Sequence, residues 1–243
     1  LTKHMNHFMP SIISEPFVDI EKVKDCVIPD KSFDWYGRDC FVGVDLAMTT
    51  DLVAVAIATY DEESGNIYTK SWSFLPKNKI NEASLKQKVN YPKEIQLGNC
   101  FACGEDVVDY GFIEEFITNL DKNLGINIMQ IGWDRFNALS SMAKVSREGY
   151  ECVEVIQHSK HLHPAVKLLQ ESILNGRFKF EENDLYLGQF LNVKVTWDDA
   201  CNMWIKKKLA TGKIDNIVAT INALYLMNIS LVDSIDDFII QTI

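Results

Sequence analysis

The chain has 243 residues, of which 47% are hydrophobic and 24% are charged. This is the composition of one large or two small globular domains, and it excludes collagen-like, low-complexity and disordered chains. The formal net charge of −10 argues against a protein that coats nucleic acid, because phosphate binding usually requires a basic excess.

The first part of the chain differs from the rest. Residues 1–38 contain three prolines and no sustained hydrophobic period, which predicts a linker or an arm packed on the body. No segment approaches the ~18 consecutive apolar residues of a membrane span, and the start lacks the apolar run and cleavage site of a signal peptide. Because the chain begins with Leu, we expect a piece of a longer protein, with a main domain at 39–229 and a tail at 230–243.

The main domain opens with strands. Three apolar segments, 41–46, 52–60 and 67–74, predict an antiparallel meander, with a turn cluster between the second and the third. Residues 76–110 are polar and irregular, which predicts a long surface loop with a helical turn or two.

Helices and strands alternate after residue 110. Helices are predicted where apolar residues recur every three or four positions, and strands where they are continuous. The predicted helices are 112–124, 137–149, 165–175 (after Pro164) and 217–225, the strands are 126–134 and 151–156, and a hairpin-like region covers 178–197. The order predicts an α/β fold in which a mixed sheet, an antiparallel meander followed by parallel strands, is flanked by helices.

Three aspartates fall at element boundaries. Asp45 ends the first strand, Asp134 ends the fourth, and Asp215 begins the last helix. If the two strands are parallel neighbours, both carboxylates emerge at the edge where α/β sheets bind ligands. Carboxylates that share a cleft repel one another unless a cation lies between them, and Mg²⁺ or Mn²⁺ suits oxygen ligands. Each residue alone also fits a simpler role, as a turn former or a helix N-cap.

Sequence motifs around these aspartates resemble a known family. GVDLAMTTDLVAVA (43–56), IGWDRFNA (131–138) and KIDNIVATINAL (213–224) resemble, in this order, the nuclease domain of tailed-bacteriophage terminase large subunits. The stretches LLQESILNGRFKF (168–180) and NVKV (192–195) between them also look like that family. The resemblance covers roughly residues 38–228.

The resemblance implies an RNase H-like fold and an endonuclease that cuts double-stranded DNA concatemers during genome packaging. It implies two divalent ions, Mg²⁺ or Mn²⁺, held by Asp45, Asp134 and Asp215 as catalytic residues. Asp51 matches a recurring acid of the first hairpin, with a metal role or, more simply, a role in holding the turn. The whole family protein also has an N-terminal packaging ATPase, but no phosphate-binding GxxxxGK[ST] loop occurs in this sequence. Residues 1–38 would then be the connector from that domain.

The same resemblance implies the biological setting. It implies the terminase small subunit and the portal protein as partners of the full-length protein, no membrane, and action in the cytoplasm of the infected bacterial host.

Basic residues near the proposed site are candidates for DNA contact. They are Lys206, Lys207, Lys208 and Lys213, which precede Asp215, and Arg135, which follows Asp134. Phosphate contact is one interpretation; a solvated surface run, or pairing with neighbouring acids, is the other.

Three other groups are less specific. His158, His161 and His163 indicate a substrate-facing or an inert surface loop, since no cysteine or carboxylate completes a zinc site. The single CxxC, Cys100 to Cys103, is a weak zinc or redox signal, and buried or half-buried thiols in a reducing cytoplasm are the simpler interpretation. Trp133 and Trp197 are predicted to be core residues.

Rival functions remain open at this point. A sugar-kinase or actin-type ATPase also opens on a GxD strand, but it needs two such domains and a longer chain. A Holliday-junction resolvase or a transposase core uses the same acids on the same fold. A non-catalytic DNA-packaging assembly module is the remaining alternative.

Overall fold

A computed structural model describes residues 14–46 and 50–241, without the side chains of residues 135–137 and 233–241. Its elements follow in the order β1 (Glu15–Pro16), α1 (Ile20–Lys24), β2 (Val27–Ile28), β3 (Asp39–Asp45), β4 (Val53–Asp61), β5 (Asn66–Leu75), α2 (Ile80–Gln87), α3 (Tyr91–Gln96), β6 (Cys100–Ala102), α4 (Tyr110–Thr118), α5 (Leu120–Leu124), β7 (Asn127–Trp133), α6 (Arg135–Arg147), β8 (Cys152–Glu154), α7 (Ser159–Leu174), β9 (Phe178–Glu181), α8 (Asp184–Phe190), β10 (Lys194–Trp197), β11 (Met203–Ile205) and α9 (Asp215–Gln241). Short 3₁₀ turns at Lys77–Lys79 and Lys207–Leu209 precede α2 and follow β11.

The main sheet is mixed, as predicted. Its strand order is β2-β9-β5-β4-β3-β7-β8, with β6 beside β5. Strands β3, β4 and β5 form the antiparallel meander, and β7 and β8 continue the sheet in parallel with β3. A small second sheet joins β1, β10 and β11.

Helices cover both faces of the main sheet. One core cluster contains residues of α4, α5 and α6, and the other contains residues of α7, α8 and α9. Helix α9 lies so close to β3 that a Cβ built on Gly43 would be 1.9 Å from the Ala219 carbonyl oxygen. A Cβ on Gly132 of β7 would be 2.9 Å from Leu226 and 3.2 Å from the Asn222 carbonyl oxygen. Glycine at these two positions therefore allows α9 to cross the central strands.

Helix α9 is also unusually apolar. Its segment Asp215–Val232 is long and apolar enough to cross a membrane, although no run of ~18 apolar residues is visible in the sequence. In the fold, 67% of this segment is buried against the sheet. Packing in the core therefore accounts for its composition.

The segment from residue 76 to 110 is more ordered than predicted. It contains α2, α3 and β6, and β6 pairs with β5 in parallel. Tyr91 and Cys100 are fully buried in a separate small cluster with Leu52 and Leu185. The polar composition hid these elements because only one or two residues of each contribute to the core.

Three other predicted elements differ in detail. The region 178–197 is not a hairpin: β9 pairs with β5 and β2 in parallel, and the hairpin is β10–β11. The predicted helix at 112–124 is divided into α4 and α5 at Asn119. Helix α7 begins at Ser159, before Pro164, because His158 caps its first turn.

The described part of the predicted arm, residues 14–38, is joined to the body, and residues 1–13 lie outside the described residues. Residues 15–16 pair with β10, residues 27–28 pair with β9, and Phe17, Val23 and Cys26 lie in the core. The boundaries at residues 38 and 229, and the link to a preceding domain, stay predictions.

Candidate active site

Parallel strands place two of the aspartates at one edge of the sheet. Strands β3 and β7 are neighbours, with Val44 opposite Trp133. The next residues in this register are Asp45 and Asp134, so both leave the sheet at its carboxyl edge, where α/β sheets form their sites. Asp45 is 3% exposed, whereas Asp134 is partly exposed in the turn before α6.

The third aspartate is brought in by α9. Asp215 is the first residue of that helix and is 4% exposed. Its neighbour Asn216 is fully buried: its amide donates to the Ser71 hydroxyl at 2.7 Å, and its carbonyl accepts from Ser73 at 2.9 Å and from Gln189 at 2.6 Å. Because every polar atom of this amide is satisfied, the network fixes the start of α9 beside the strand ends.

A second buried amide fixes the same helix to β3. The Asn222 side chain donates to the Val44 carbonyl oxygen at 3.0 Å and accepts from Gln157 at 3.0 Å. Val44 immediately precedes Asp45, so the amide ties α9 to the strand end that carries the carboxylate.

A lysine lies between the two buried carboxylates. The Lys207 ammonium donates to Asp45 Oδ2 at 2.5 Å and to Asp215 Oδ1 at 3.0 Å. Burial raises the pKa of Asp45 to about 7; Lys207 opposes this shift, and the charges of Asp215 and Asp134 add to it. Burial alone would lower the pKa of Lys207, but Asp45 and Asp215 raise it above its usual value, so the side chain stays charged.

The acid cluster remains incompletely neutralised. The two buried carboxylates, Asp45 and Asp215, share the Lys207 ammonium, and Asp215 Oδ2 is buried with no hydrogen-bond partner among the described residues. Buried oxygen ligands with excess negative charge fit a hard divalent cation. In the described part of the chain, however, no three acidic, histidine or cysteine side chains are already close enough to share one ion.

Comparison with known proteins identifies the family. The family model described as the terminase large subunit endonuclease domain matches residues 1–230. This chain belongs to that family. The large terminase subunit of Enterobacteria phage HK97 is 26% identical over 208 residues, which are 84% of this chain and 41% of that protein.

Solved structures agree on the fold. The crystal structure of the HK97 bacteriophage large terminase matches with a TM-score of 0.77 at 24% identity, over 88% of this chain and 44% of that chain. The large terminase nuclease from thermophilic phage G20c matches with a TM-score of 0.54 at 10% identity, over 84% of this chain and 95% of that chain. The chain thus has the RNase H-like fold of terminase nuclease domains and spans about two fifths of the HK97 protein's length.

The basic residues of this terminase nuclease domain lie in different environments. Lys206 is placed over the Trp204 ring, 4.2 Å from its centroid, and Lys208 is exposed. Lys213 forms an ion pair with Asp51, whose carboxylate also accepts from the Leu52 amide at 2.8 Å. These contacts favour a turn-holding role for Asp51. The side chain of Arg135, at the start of α6, lies outside the described residues.

His158, His161 and His163 lie at the start of α7. His158 caps α7, and the His163 ring nitrogen accepts from the Met203 amide at 2.8 Å, which attaches α7 to β11. His158 and His161 have ring centroids 6.4 Å apart, and the described residues include no cluster of three metal-binding side chains here. The predicted surface loop is therefore wrong: His158 is the N-cap of α7, His161 and His163 lie in its first turns, and the helix contacts the β10–β11 hairpin.

Five of the six cysteines are buried or half-buried, as expected, whereas Cys201 is exposed. Cys100 and Cys103 are both buried and free. Burial raises the pKa of Cys100 to about 12 and that of Cys103 to about 11, so neither is a reactive thiolate.

One tryptophan prediction is wrong. Trp133 is buried, as predicted, but Trp197 is 41% exposed at the end of β10. Its predicted burial failed because β10 belongs to the small outer sheet, where one face is open to solvent. Sequence reasoning also missed Trp204, which stacks with His158 at 6.1 Å beside the basic cluster. Its position two residues before the run Lys206–Lys208 was an available signal.

Proposed function

We propose that this domain hydrolyses phosphodiester bonds of double-stranded phage DNA concatemers with two divalent ions, Mg²⁺ or Mn²⁺, held by Asp45, Asp134 and Asp215. The observation that carries the proposal is the meeting of these three acids at one sheet edge, two of them buried and incompletely neutralised. A cleft of this charge is costly without a cation.

Structures of relatives support a metal requirement. The G20c large terminase nuclease has been crystallised with bound magnesium and with bound cobalt, and these structures match this chain with TM-scores of 0.52 and 0.51. Their identities to this chain are 10% and 9%, so the fold is shared and the extension of metal binding to this chain is part of the proposal.

Each residue would contribute a separate function. Asp45 and Asp215 offer buried oxygens that bind the ions in fixed positions, because β3 and the amides of Asn216 and Asn222 hold their backbones. Asp134, which is partly exposed, would be the third metal ligand, at the solvent-facing side of the site. The bound ions supply a water of lowered pKa and stabilise charge on the leaving oxygen.

Lysines on the same side would orient the DNA. Lys206 and Lys208 flank Lys207 and are available to phosphates, while Trp204 and His158 form an aromatic stack under Lys206. Contacts to phosphate carry no base information, so cleavage should show little sequence preference.

The biological setting belongs to the same proposal. The full-length protein would act in the cytoplasm of the infected bacterium with the terminase small subunit and the portal protein. Residues 1–38 would connect the nuclease domain of 39–229 to a packaging ATPase, and 230–243 would be its tail.

Plasmid cleavage tests the proposal. We expect the domain to nick or linearise supercoiled plasmid with Mn²⁺ or Mg²⁺, without ATP, and to stop on addition of EDTA. Replacement of Asp45, Asp134 or Asp215 by Asn should each reduce the rate by at least about 100-fold. The matched control is Asp39→Asn, at the opposite end of β3.

Two results would oppose the assignment. If Asp134→Asn cleaves as fast as the parent, or cleavage continues in EDTA, the site is wrong. A strong preference for four-way junctions over linear duplex would favour a resolvase, and a folded but inactive parent would favour an assembly module.

A further inference from the structure

Lys207 lies between the two buried acids of the proposed metal site. Its ammonium contacts one oxygen of Asp45 and one of Asp215, the two buried acids of the site. The arrangement is compact, since both carboxylates are about 5% exposed as side chains. In this form of the domain, a positive charge from the chain itself bridges the proposed metal ligands.

We propose that Lys207 is an internal competitor for the metal, and that divalent ions bind only when its ammonium leaves Asp45 and Asp215. The inference rests on the proposed function, because it takes these acids as the metal ligands.

Geometry makes the two cations mutually exclusive. A divalent ion takes carboxylate oxygens at about 2.0–2.2 Å, and Lys207 already donates to Asp45 Oδ2 at 2.5 Å. An ammonium and a divalent ion on the same oxygen pair would repel each other at short range in a buried, low-dielectric site.

The lysine is placed so that it can leave. It begins the 3₁₀ turn Lys207–Leu209, directly after the β10–β11 hairpin, and not a helix or strand of the core. Its side chain is 47% exposed, so part of it already lies at the surface and outside the main sheet. Withdrawal therefore requires only rotation of a flexible side chain and a shift of a surface turn.

Competition has a thermodynamic consequence. If only the fraction of molecules with Lys207 withdrawn can bind metal, the apparent Kd exceeds the intrinsic Kd by the inverse of that fraction. Removing the ammonium abolishes this penalty, although it also leaves the acids without their counter-ion in the metal-free state.

Calorimetric titration with Mn²⁺, without DNA, tests the proposal. We expect Lys207→Met to bind Mn²⁺ with a Kd about tenfold lower than the parent. Lys208→Met, which removes the same charge one residue away, should change the Kd by less than about twofold. Lys207→Gln, with a polar and uncharged side chain, should bind Mn²⁺ as tightly as Lys207→Met. It keeps the test valid if the more apolar Met variant misfolds.

Thermal unfolding provides a second readout that does not depend on cleavage. In EDTA, Lys207→Gln should be less stable than the parent; on saturation with Mn²⁺ its rise in Tm should exceed the parent's. If the parent binds Mn²⁺ and Lys207→Met and Lys207→Gln bind no tighter, the competition is wrong and the nuclease proposal stands. If none of the three proteins binds Mn²⁺, the proposed function fails together with this inference. A Mn²⁺-loaded crystal in which Lys207 still bridges Asp45 and Asp215 would also overturn the competition.

Discussion

Asp45 bears a large electrostatic cost in the metal-free domain. Its carboxylate is 3% exposed and lies within electrostatic range of Asp215 and Asp134, with Lys207 as its nearby cation. Burial raises its pKa to about 7, well above the value of about 4 for an exposed aspartate. Binding of a divalent ion to Asp45 would reduce this electrostatic cost.

This shift gives the metal-free domain a defined pH dependence. Between the unfolded pKa of about 4 and the folded pKa of about 7, the folded state binds more protons than the unfolded state. The free energy of unfolding should therefore fall as the pH rises through this window, by up to about 1.4 kcal/mol per pH unit. Urea unfolding in EDTA at several pH values measures it.

Substitution isolates the Asp45 contribution. Asp45→Asn should reduce the dependence of the free energy of unfolding on pH between about pH 5 and pH 7, roughly the titration window. Asp39→Asn, at the exposed end of the same strand, should leave this dependence unchanged. An unchanged slope in Asp45→Asn would show that other groups cause the pH dependence.

The contact between α9 and β3 determines where Asp215 lies. Gly43 of β3 faces the α9 backbone so closely that an added Cβ would be 1.9 Å from the Ala219 oxygen and 2.5 Å from the Ala223 nitrogen. Backbone atoms cannot rotate away, so a larger residue must push the helix and Asp215 with it.

Gly43→Ala should therefore lower both stability and cleavage. We expect a loss of at least about 2 kcal/mol in the free energy of unfolding, because overpacking of a rigid contact is costly. The control is Gly188→Ala in α8, where the added Cβ meets only Val89 Cγ2 at 4.0 Å and alanine is the better helix former. Denaturant unfolding of both variants checks the difference, and equal stabilities would contradict the close approach of α9.

Local pattern predicted the central elements well. The strand that ends at Asp45 is a continuous apolar run and the strand before Asp134 is mostly apolar, and their parallel pairing follows from the order of elements. Strand β6 was not predicted, and β9 was assigned to a hairpin, because these strands are three and four residues long and are stabilised by pairing with strands that are distant in the sequence. Propensity cannot detect an element that is defined by non-local hydrogen bonds.

The site was predicted only in part. The sequence indicated which acids meet, because strand ends and a helix start have fixed positions in the fold. It could not show that Lys207, one of four nearby lysines, is the one between Asp45 and Asp215, since that depends on the path of the turn after β11. The buried amides of Asn216 and Asn222 were equally invisible, because polar residues of α9 can face solvent or core.

The net charge of −10 bears on how the domain meets DNA. Many of the acids lie away from the site, where they repel phosphate, and the basic cluster is small. Sequence-independent affinity in this charge state should be weak and depend on a few lysines. Metal ions and the rest of the packaging protein would supply the remaining attraction.

Salt dependence of DNA binding tests this account. With a labelled duplex in EDTA, Lys206→Ala should weaken binding and reduce the slope of log K against log salt by about 1, the value for one lost phosphate contact. Lys86→Ala, a lysine of α2 paired with Glu82, is the control and should leave the slope unchanged. Equal slopes for the parent, Lys206→Ala and Lys86→Ala would show that Lys206 does not contact the DNA.

We propose that Asp45, Asp134 and Asp215 together bind divalent ions. A crystal soaked with Mn²⁺ tests this binding. Anomalous scattering locates manganese without reference to activity. The account predicts anomalous peaks between these three side chains, with Lys207 withdrawn from Asp45. Manganese bound at the His158–His163 segment, with nothing between the aspartates, would contradict it.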